Sequence, residues 1–207
     1  RTPSASIISE RHGQLLGVAL AGFSSVRNND CRVDAGWFAD IARAIVHSAK
    51  MKGARIRCFN LCASPEYSDY TTYDCLLQAG AARSDIEFFE HDGDPERTLK
   101  AVGECSHFIS SRLHGAIFAY IADVPSIIVS YHRKCRQFAE TVGFAPEYFF
   151  ESEGIRWASF SERLDQLLQL RGGFQARRRL ADVVPLAERN FQFCADGVCG
   201  AEREAVV

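Results

Sequence analysis

The stretch that decides the fold is residues 106–143, SHFISSRLHGAIFAYIADVPSIIVSYHRKCRQFAETVG. It contains two short apolar runs, and each is followed by a longer segment whose apolar residues recur at helical spacing. These segments are the strands 106–110 and 126–130 and the helices 113–122 and 133–142. Gly143 closes the second helix, as glycine commonly does. Strands joined by a crossover helix run parallel, so this stretch predicts a parallel α/β unit.

The same alternation precedes this stretch. It predicts strands at 15–21, 55–61 and 86–90 and helices at 35–50, 70–79 and 95–104. Asp34 is the expected N-cap of the first helix, and residues 92–94 are expected to form the turn and cap before the third. Parallel strands need crossover helices on both faces. The predicted fold class is therefore α/β, a doubly wound, mostly parallel, Rossmann-like sheet.

Beyond Gly143 the pattern is weaker. Residues 147–150 are interpreted as an edge strand, and residues 160–170 and 174–191 as surface helices with a core-facing stripe. The expected organisation is an N-terminal extension 1–14, an α/β domain 15–158, C-terminal helices 159–192 packing on it, and a polar tail 193–207. Because the chain starts at Arg1 rather than at methionine, we interpret it as a piece of a longer protein or a processed one.

Composition excludes several classes of protein. With 207 residues, 47% of them hydrophobic, the chain can bury the core of a full domain. The formal charge is only -2, and basic residues are scattered except in 171–179, so no broad surface for nucleic acid is expected. There is no run of about 18 apolar residues, the length a membrane-spanning helix needs. Any anionic ligand must be held by a local site.

The eight cysteines lie in apolar runs of a full-sized core without a secretory segment before them, so they are interpreted as reduced and cytosolic. Neither Cys58 with Cys62 nor Cys194 with Cys199 has zinc-finger spacing. No metal site is expected.

Two turns lie where open parallel sheets bind ligands, at carboxyl ends of strands that lead into helix N-termini. They carry Ser110, Ser111, Arg112 and His114 after the fourth strand, and Ser130, Tyr131, His132, Arg133 and Lys134 after the fifth. A short crossover usually makes such strands neighbours. Cations at helix N-termini oppose the helix dipole, so their clustering at two such ends favours an anion between them.

Simpler interpretations remain for each residue taken alone. Arg112 fits a surface salt bridge, Lys134 a solvated helix face, and His114 a core histidine bonded to a carbonyl. After the second strand, Glu66 and Asp69 could hold the hydroxyl of an acceptor, but a solvated loop is the favoured interpretation.

A longer frame surrounds the Arg-Leu-His core at 112–114. It consists of SSRLHGAIFA at 110–119, Val124-Pro125, Ser130-Tyr131 and Lys134. In order and spacing this frame resembles the polysaccharide pyruvyl transferases, weakly from about Leu16 and strongly over 108–143. The sequence departs from the family's pattern at 21–23, Ala-Gly-Phe, near which many relatives place an arginine.

The resemblance implies one lobe of a two-lobed, glycosyltransferase-B-like fold, with residues 15–158 as its carboxyl-terminal, donor-binding domain and the amino-terminal lobe missing. It implies transfer of pyruvate from phosphoenolpyruvate onto sugar hydroxyls of a cell-surface polysaccharide, or its precursor, as a ketal. The partners would be phosphoenolpyruvate as donor substrate, with no further cofactor, and a glycan acceptor, free or lipid-linked. The expected location is the cytoplasm, with the inner face of the membrane as the alternative.

The resemblance also assigns roles. Arg112 and His114 match the residues that hold phosphoenolpyruvate, and Lys134 matches a basic position after the next strand. Arg112 would grip carboxylate or phosphate, and Lys134 with Arg133 would offset the charge of the leaving phosphate. His114 would be the acid or base, or else a charged donor to the phosphate. Ser110, Ser111 and Tyr131 complete the expected substrate-binding set.

Two other functions stay open. The first is the donor lobe of a nucleotide-sugar glycosyltransferase, which needs an acidic residue for ribose hydroxyls; Glu147, Glu151 and Glu153 are candidates. The second is a non-catalytic binding or assembly lobe that lacks its partner domain. Fold alone does not choose among these functions.

Overall fold

The computed structural model describes residues 14–21, 35–62 and 69–189. Its strands are β1 Leu15–Ala19, β2 Arg55–Asn60, β3 Ile86–Glu90, β4 His107–Ser110, β5 Ser126–Ser130 and β6 Phe149–Glu151. Its helices are α1 Ala35–Lys52, α2 Tyr70–Gln78, α3 Pro95–Gly103, α4 Leu113–Ile121, α5 Arg133–Val142 and α6 Trp157–Leu167. Residues 180–189 are helical as well. The predicted Asp34 cap lies outside the described residues.

The six strands form one parallel sheet in the order β3-β2-β1-β4-β5-β6. The helices fall into two contacting groups, α1 with α2 and α6, and α3 with α4 and α5. Both features are those of a doubly wound sheet, so the predicted fold class is confirmed. The chain reverses direction across the sheet between β1 and β4, and this place is the switch point where such folds bind ligands.

The core includes the side chains where β1 and β4 pair. Leu16, Val18, Phe108 and Ile109 are fully buried there. A side chain at Gly17 would place its Cβ within 2.3 Å of the Phe108 ring, so only glycine leaves room for that ring. This close packing holds β1 against β4 and fixes the position of their carboxyl ends relative to each other.

Local sequence signals set several boundaries as expected. The Asp94 side chain accepts hydrogen bonds from the backbone N–H groups of Glu96 and Arg97, which confirms the cap before α3. Gly143 ends α5 with a φ of 64°, a left-handed conformation that glycine adopts without strain. The first strand is shorter than predicted, because the Leu20 carbonyl and the Ala21 N–H bond the side chains of Thr72 and Ser111.

Residues 174–178, which we call the strap, are not helical, so the prediction of one helix over 174–191 is wrong at its start. Apart from the bond of the Ala176 N–H to the Phe174 carbonyl, the backbone bonds of the strap go to other parts of the chain. Its contacts are Phe174 N to Asp123 Oδ1, Ser126 N to Gln175 Oε1, Ala145 N to Gln175 O, Arg177 N to Gly143 O, Arg178 N to Val142 O, and Tyr120 Oη to Arg178 O. The strap thereby joins the ends of α4 and α5.

The described cysteines Cys58, Cys62, Cys75, Cys105 and Cys135 are free thiols. For these five, the prediction of reduced cysteines agrees with the structure. The other pair considered for zinc, Cys194 and Cys199, lies outside the described residues.

Candidate active site

The candidate site lies at the carboxyl ends of β1, β4 and β5. Ala19 and Ser110 are paired at the ends of β1 and β4, so these two strands stop level with each other. Ser110 is also paired with Ile128, so β5 continues two residues further. At the usual rise per residue of a strand, the turn after β5 stands roughly 7 Å beyond the turn after β4. The site therefore has a stepped floor.

Two serines shape the turn between β4 and α4. The Ser110 hydroxyl donates to the Arg112 carbonyl at 2.7 Å, and the Ser111 hydroxyl accepts the Ala21 N–H at 2.8 Å. Both serines are buried, at 1% and 0% exposure. Sequence placed them among the substrate-binding residues, but in this structure their hydroxyl groups hold the backbone of the turn.

Arg112 pairs with a buried carboxylate. Its Nε and Nη2 donate to Oδ1 of Asp69 at 3.0 and 2.5 Å. The arginine side chain is 19% exposed and that of Asp69 is 0% exposed. The interpretation of Asp69 as part of a solvated loop is therefore wrong, whereas Glu66 lies outside the described residues. Arg112 is ion-paired, but the pair is buried rather than on the surface.

Asp69 is held from several sides. Its Oδ2 accepts the Leu61 N–H at 3.0 Å, and its own N–H donates to Oδ1 of Asn60 at 3.2 Å. Asn60 in turn donates to Glu90 at 2.9 Å. Burial raises the pKa of Asp69, and the Arg112 guanidinium and the Leu61 N–H oppose that rise. Burial thus disfavours the charged form of Asp69, and Arg112 is the cation that compensates it.

His114 is exposed at the second residue of α4. Among the residues that the structure describes, it has no hydrogen-bond or ion-pair partner, so it is not a core histidine. The next residue, Gly115, is buried against β1 and β4. A Cβ at Gly115 would lie 2.4 Å from the Ser110 hydroxyl oxygen and 3.3 Å from the Ala19 Cβ. Glycine therefore lets the first turn of α4 approach the sheet and brings His114 to its edge.

The turn between β5 and α5 has a similar plan. The Ser130 hydroxyl donates to the His132 carbonyl at 3.3 Å, and His132 caps α5 by accepting the Lys134 N–H on Nδ1 at 3.2 Å. Arg133 and Lys134 are exposed. Neither of them has an ion-pair partner within the described part of the chain. Sequence placed His132 in this turn but did not predict that it caps α5, although it stands at the residue before the helical pattern, where a cap is expected.

The two turns touch each other. The Cys135 thiol, on the first turn of α5, lies 3.7 Å from the Ser111 carbonyl oxygen. Burial raises the pKa of Cys135 to about 11, so it is a neutral thiol at physiological pH. Tyr131 is half-buried beside Arg112; burial raises its pKa and the guanidinium opposes that rise. The structure thus places Tyr131, in the turn after β5, beside Arg112, in the turn after β4, while Arg133 and Lys134 are exposed.

Taken together, the site combines one anchored cation, two exposed cations and an exposed imidazole at two adjacent helix N-termini. Such a set suits a ligand with more than one anionic group, since each group can meet a cation and backbone N–H donors. In the described ranges, no group of three or more histidine, cysteine or acidic residues is arranged to hold a metal ion. None of the helices described is both long and apolar enough to cross a bilayer.

Comparison with solved structures defines the class of fold. A UDP-GlcNAc 2-epimerase from Methanocaldococcus jannaschii aligns with a TM-score of 0.55 at 12% identity, over 87% of this chain and 46% of that one. A trehalose 6-phosphate synthase from Burkholderia multivorans gives 0.52 at 12%, over 94% and 44%. A Thermobaculum terrenum O-GlcNAc transferase mutant gives 0.51 at 12%, over 77% and 29%. The fold is that of one lobe of the glycosyltransferase-B class, and the chain spans less than half of each neighbour.

Among proteins of this fold class, the sequence matches one particular family. The model of the family described as polysaccharide pyruvyl transferase matches residues 4–133, which is more than half of the chain and includes β1 to β5. The chain belongs to this family, as the Arg-Leu-His frame indicated. No curated protein matches it closely enough to count as a relative.

Proposed function

We propose that this chain is the donor-binding lobe of an enzyme that transfers pyruvate from phosphoenolpyruvate to two hydroxyls of a sugar, forming a ketal on a polysaccharide or its precursor. The observation that carries the proposal is the position of the family's Arg-Leu-His core. It stands at the switch point of the sheet, with Arg112 anchored and His114 exposed. Phosphoenolpyruvate carries a carboxylate and a phosphate, and the two adjacent turns offer cations for both.

The chemistry has a definite order of demands. The methylene carbon of phosphoenolpyruvate takes up a proton and becomes a methyl group, which leaves a cationic centre at the carbon bearing the phosphate. A sugar hydroxyl adds there and gives up its proton. The C–O bond to phosphate then breaks as a second hydroxyl adds and loses its proton. The products are one ketal and one inorganic phosphate, so the site needs a proton donor, a proton acceptor and cations for the leaving group.

The residues divide these tasks by position. In our proposal Arg112 binds the carboxylate or the phosphate with the planar guanidinium that Asp69 holds in place. Lys134, with Arg133, offsets charge on the departing phosphate, for which an exposed and adjustable ammonium is suitable. His114 exchanges the proton or donates to the phosphate. His114 lies in the first turn of α4, and no hydrogen bond to another residue that the structure describes occupies its ring nitrogens.

The test is a calorimetric titration of phosphoenolpyruvate into the unchanged chain and into Arg112→Ala. The matched control is Arg57→Ala, because Arg57 is also largely buried, at 17% exposure, and paired with Glu87 and Glu104 away from the site. We expect binding that Arg112→Ala abolishes and Arg57→Ala retains. Equal binding by all three proteins, or no binding by any, would contradict the proposal.

Turnover requires the acceptor glycan and any further lobe of the complete protein. Release of inorganic phosphate that depends on both phosphoenolpyruvate and the glycan would support the transferase. Binding without turnover, with every partner supplied, would favour a non-catalytic binding lobe instead. Unchanged turnover in His114→Ala would remove His114 from the chemistry.

A nucleotide-sugar donor is the second candidate, because the neighbours named above include an O-GlcNAc transferase of the same fold class. Of the acidic residues that could meet ribose hydroxyls, Glu151 is engaged by Arg136 at 2.8 Å, and Glu147 and Glu153 are exposed. Displacement of bound phosphoenolpyruvate by a nucleoside diphosphate at lower concentration would favour this candidate.

A further inference from the structure

We propose that Asp69 is a positioning residue of the anion site: it holds the Arg112 guanidinium in its binding orientation before any ligand arrives. The inference rests on the proposed function, in that the anion considered is phosphoenolpyruvate or the phosphate released from it. Asp69 does not contact the ligand in this scheme. It acts through Arg112 alone.

Asp69 does not cap α2, the helix that follows it. It occupies the N-cap position of α2, yet its side chain makes no capping bond. Asp94 and His132, at the same position of α3 and α5, both cap their helices. Aspartate is among the best N-caps, and a cap bond is a favourable local interaction that α2 forgoes. The carboxylate is used for Arg112 and Leu61 instead.

The stability of the fold gives little reason for a buried ion pair of Asp69 and Arg112. A fully buried carboxylate loses its hydration, and its attraction to a buried cation frequently no more than offsets that loss. A pair of apolar side chains would fill the same space without that cost. Apart from the bond that Asp69 accepts from the Leu61 N–H, the fold therefore has little reason of its own to keep this ion pair. A site that needs an oriented guanidinium does have such a reason.

The geometry of the ion pair fixes the orientation of the Arg112 guanidinium. Both Nε and Nη2 of Arg112 bond the same oxygen, Oδ1 of Asp69, which fixes the plane of the guanidinium as well as its place. Asp69 is itself fixed by Leu61 and Asn60, and Asn60 by Glu90. Arginine otherwise has many rotamers, and binding must then order one of them. Here Asp69 supplies that order from within the protein.

The experiment compares Asp69→Ala, Asp69→Asn and Glu104→Gln. Glu104→Gln is the matched control, since it weakens the 2.7 Å bond to the equally buried Arg57 far from the site. We expect Asp69→Ala to weaken phosphoenolpyruvate binding about tenfold, the cost of ordering an arginine side chain on binding. Asp69→Asn, whose amide oxygen can still accept from Nε, should lose less, and Glu104→Gln should bind as the unchanged chain does.

Two readouts separate positioning from loss of fold. In an NMR spectrum of arginine Nε–H groups, the Arg112 signal should exchange slowly with water in the unchanged chain and in Glu104→Gln, and rapidly in Asp69→Ala. In a double-mutant cycle with Arg112→Lys, which lacks the guanidinium, Asp69→Ala should weaken binding less than it does beside arginine. An equal loss in both backgrounds would overturn the inference, as would tighter binding by Asp69→Ala.

Inorganic phosphate distinguishes this inference from the proposed donor. Binding of phosphate but not phosphoenolpyruvate, with the same dependence on Asp69, would leave the positioning role standing and refute the donor. Binding of neither by the unchanged chain would overturn both. Binding of phosphoenolpyruvate with no dependence on Asp69 would refute only the positioning role.

Discussion

The turns after β4 and β5 are built on one plan and carry their charge in opposite ways. In each, a serine at the end of the strand bonds the carbonyl two residues ahead, from Ser110 to Arg112 and from Ser130 to His132. In each, a basic side chain follows at the helix start. The first cation, Arg112, is buried against Asp69, whereas Lys134 is exposed and, within the described residues, has no counter-charge.

This difference separates two properties of a binding site. An anchored cation supplies direction, because its donors are fixed in space and partly neutralised by the protein. An exposed cation supplies net charge, because it is free to approach the ligand but loses side-chain entropy when it does so. A ligand that loses phosphate during the reaction needs the first property for recognition and the second for the charge that appears at the leaving group.

The largest expected effect is on folding stability. Arg112→Ala leaves Asp69 charged and buried without its cation, which costs about 3 to 5 kcal/mol in comparable pairs. Lys134→Ala should change the free energy of unfolding by less than about 0.5 kcal/mol, since the residue is exposed. Urea unfolding of both variants measures the difference. Equal stability would show that Asp69 takes up a proton or water in place of its partner.

The next largest effect is expected in the reactivity of Cys135, where the turn after β5 contacts the turn after β4. Cys135 is 2% exposed and has a pKa of about 11, so roughly one thiol in a thousand is ionised at pH 8. We expect iodoacetamide to leave Cys135 unmodified in the native protein while the half-buried Cys62 reacts. Mass spectrometry of digested protein identifies each site. Rapid modification of Cys135 would mean that the two turns separate in solution.

A smaller effect is expected from crowding the turn after β4. Gly115→Ala puts a methyl group against the Ser110 hydroxyl and should lower stability by about 1 to 3 kcal/mol, as overpacked cores do. Gly103→Ala is the control, because a Cβ there comes no nearer than 3.7 Å to a neighbour, the Ala122 Cβ. Thermal unfolding compares the two. A Gly115→Ala variant as stable as the control would show that α4 is not tightly seated.

The smallest effect belongs to the exposed turn. Lys134→Ala should weaken binding of phosphoenolpyruvate about two- to fivefold, the size of an exposed charge interaction, and the loss should shrink at high salt. Arg136→Ala removes a neighbouring cation that is already paired with Glu151, so it should change binding less. A loss for Lys134→Ala as large as that for Arg112→Ala would abolish the distinction between anchored and exposed cations.

The alternation of strands and helices was predictable, because short apolar runs indicate strands and apolar residues at helical spacing indicate helices. The position of Arg112 followed from the rule that ligands bind at strand carboxyl ends, and Gly143 followed from helix capping. These features depend on neighbours in sequence. They need no knowledge of which distant segments meet.

Asp69 was not predictable in its role, because it meets Arg112 from 43 residues away, across a sheet in which β1 pairs with both β2 and β4. The carboxyl-edge rule pointed to Asp69, but sequence cannot distinguish a buried carboxylate from a solvated one. The burial of Ser110 and Ser111 was hidden for the same reason. Their hydroxyls bond the Arg112 carbonyl and the Ala21 N–H, and a hydroxyl in a turn could equally have faced a ligand.

The strap at 174–178 leaves little trace in the order of amino acids. Apart from Gln175 Oε1, each of its contacts described above uses a main-chain atom of the strap, and those atoms are the same whatever side chain is attached. Substitution of strap residues other than Gln175 and the buried Phe174 can therefore leave these main-chain bonds in place, and the family match ends at residue 133. A deletion of residues 174–178 would therefore remove the contacts that connect the ends of α4 and α5, although these residues lie outside the family match.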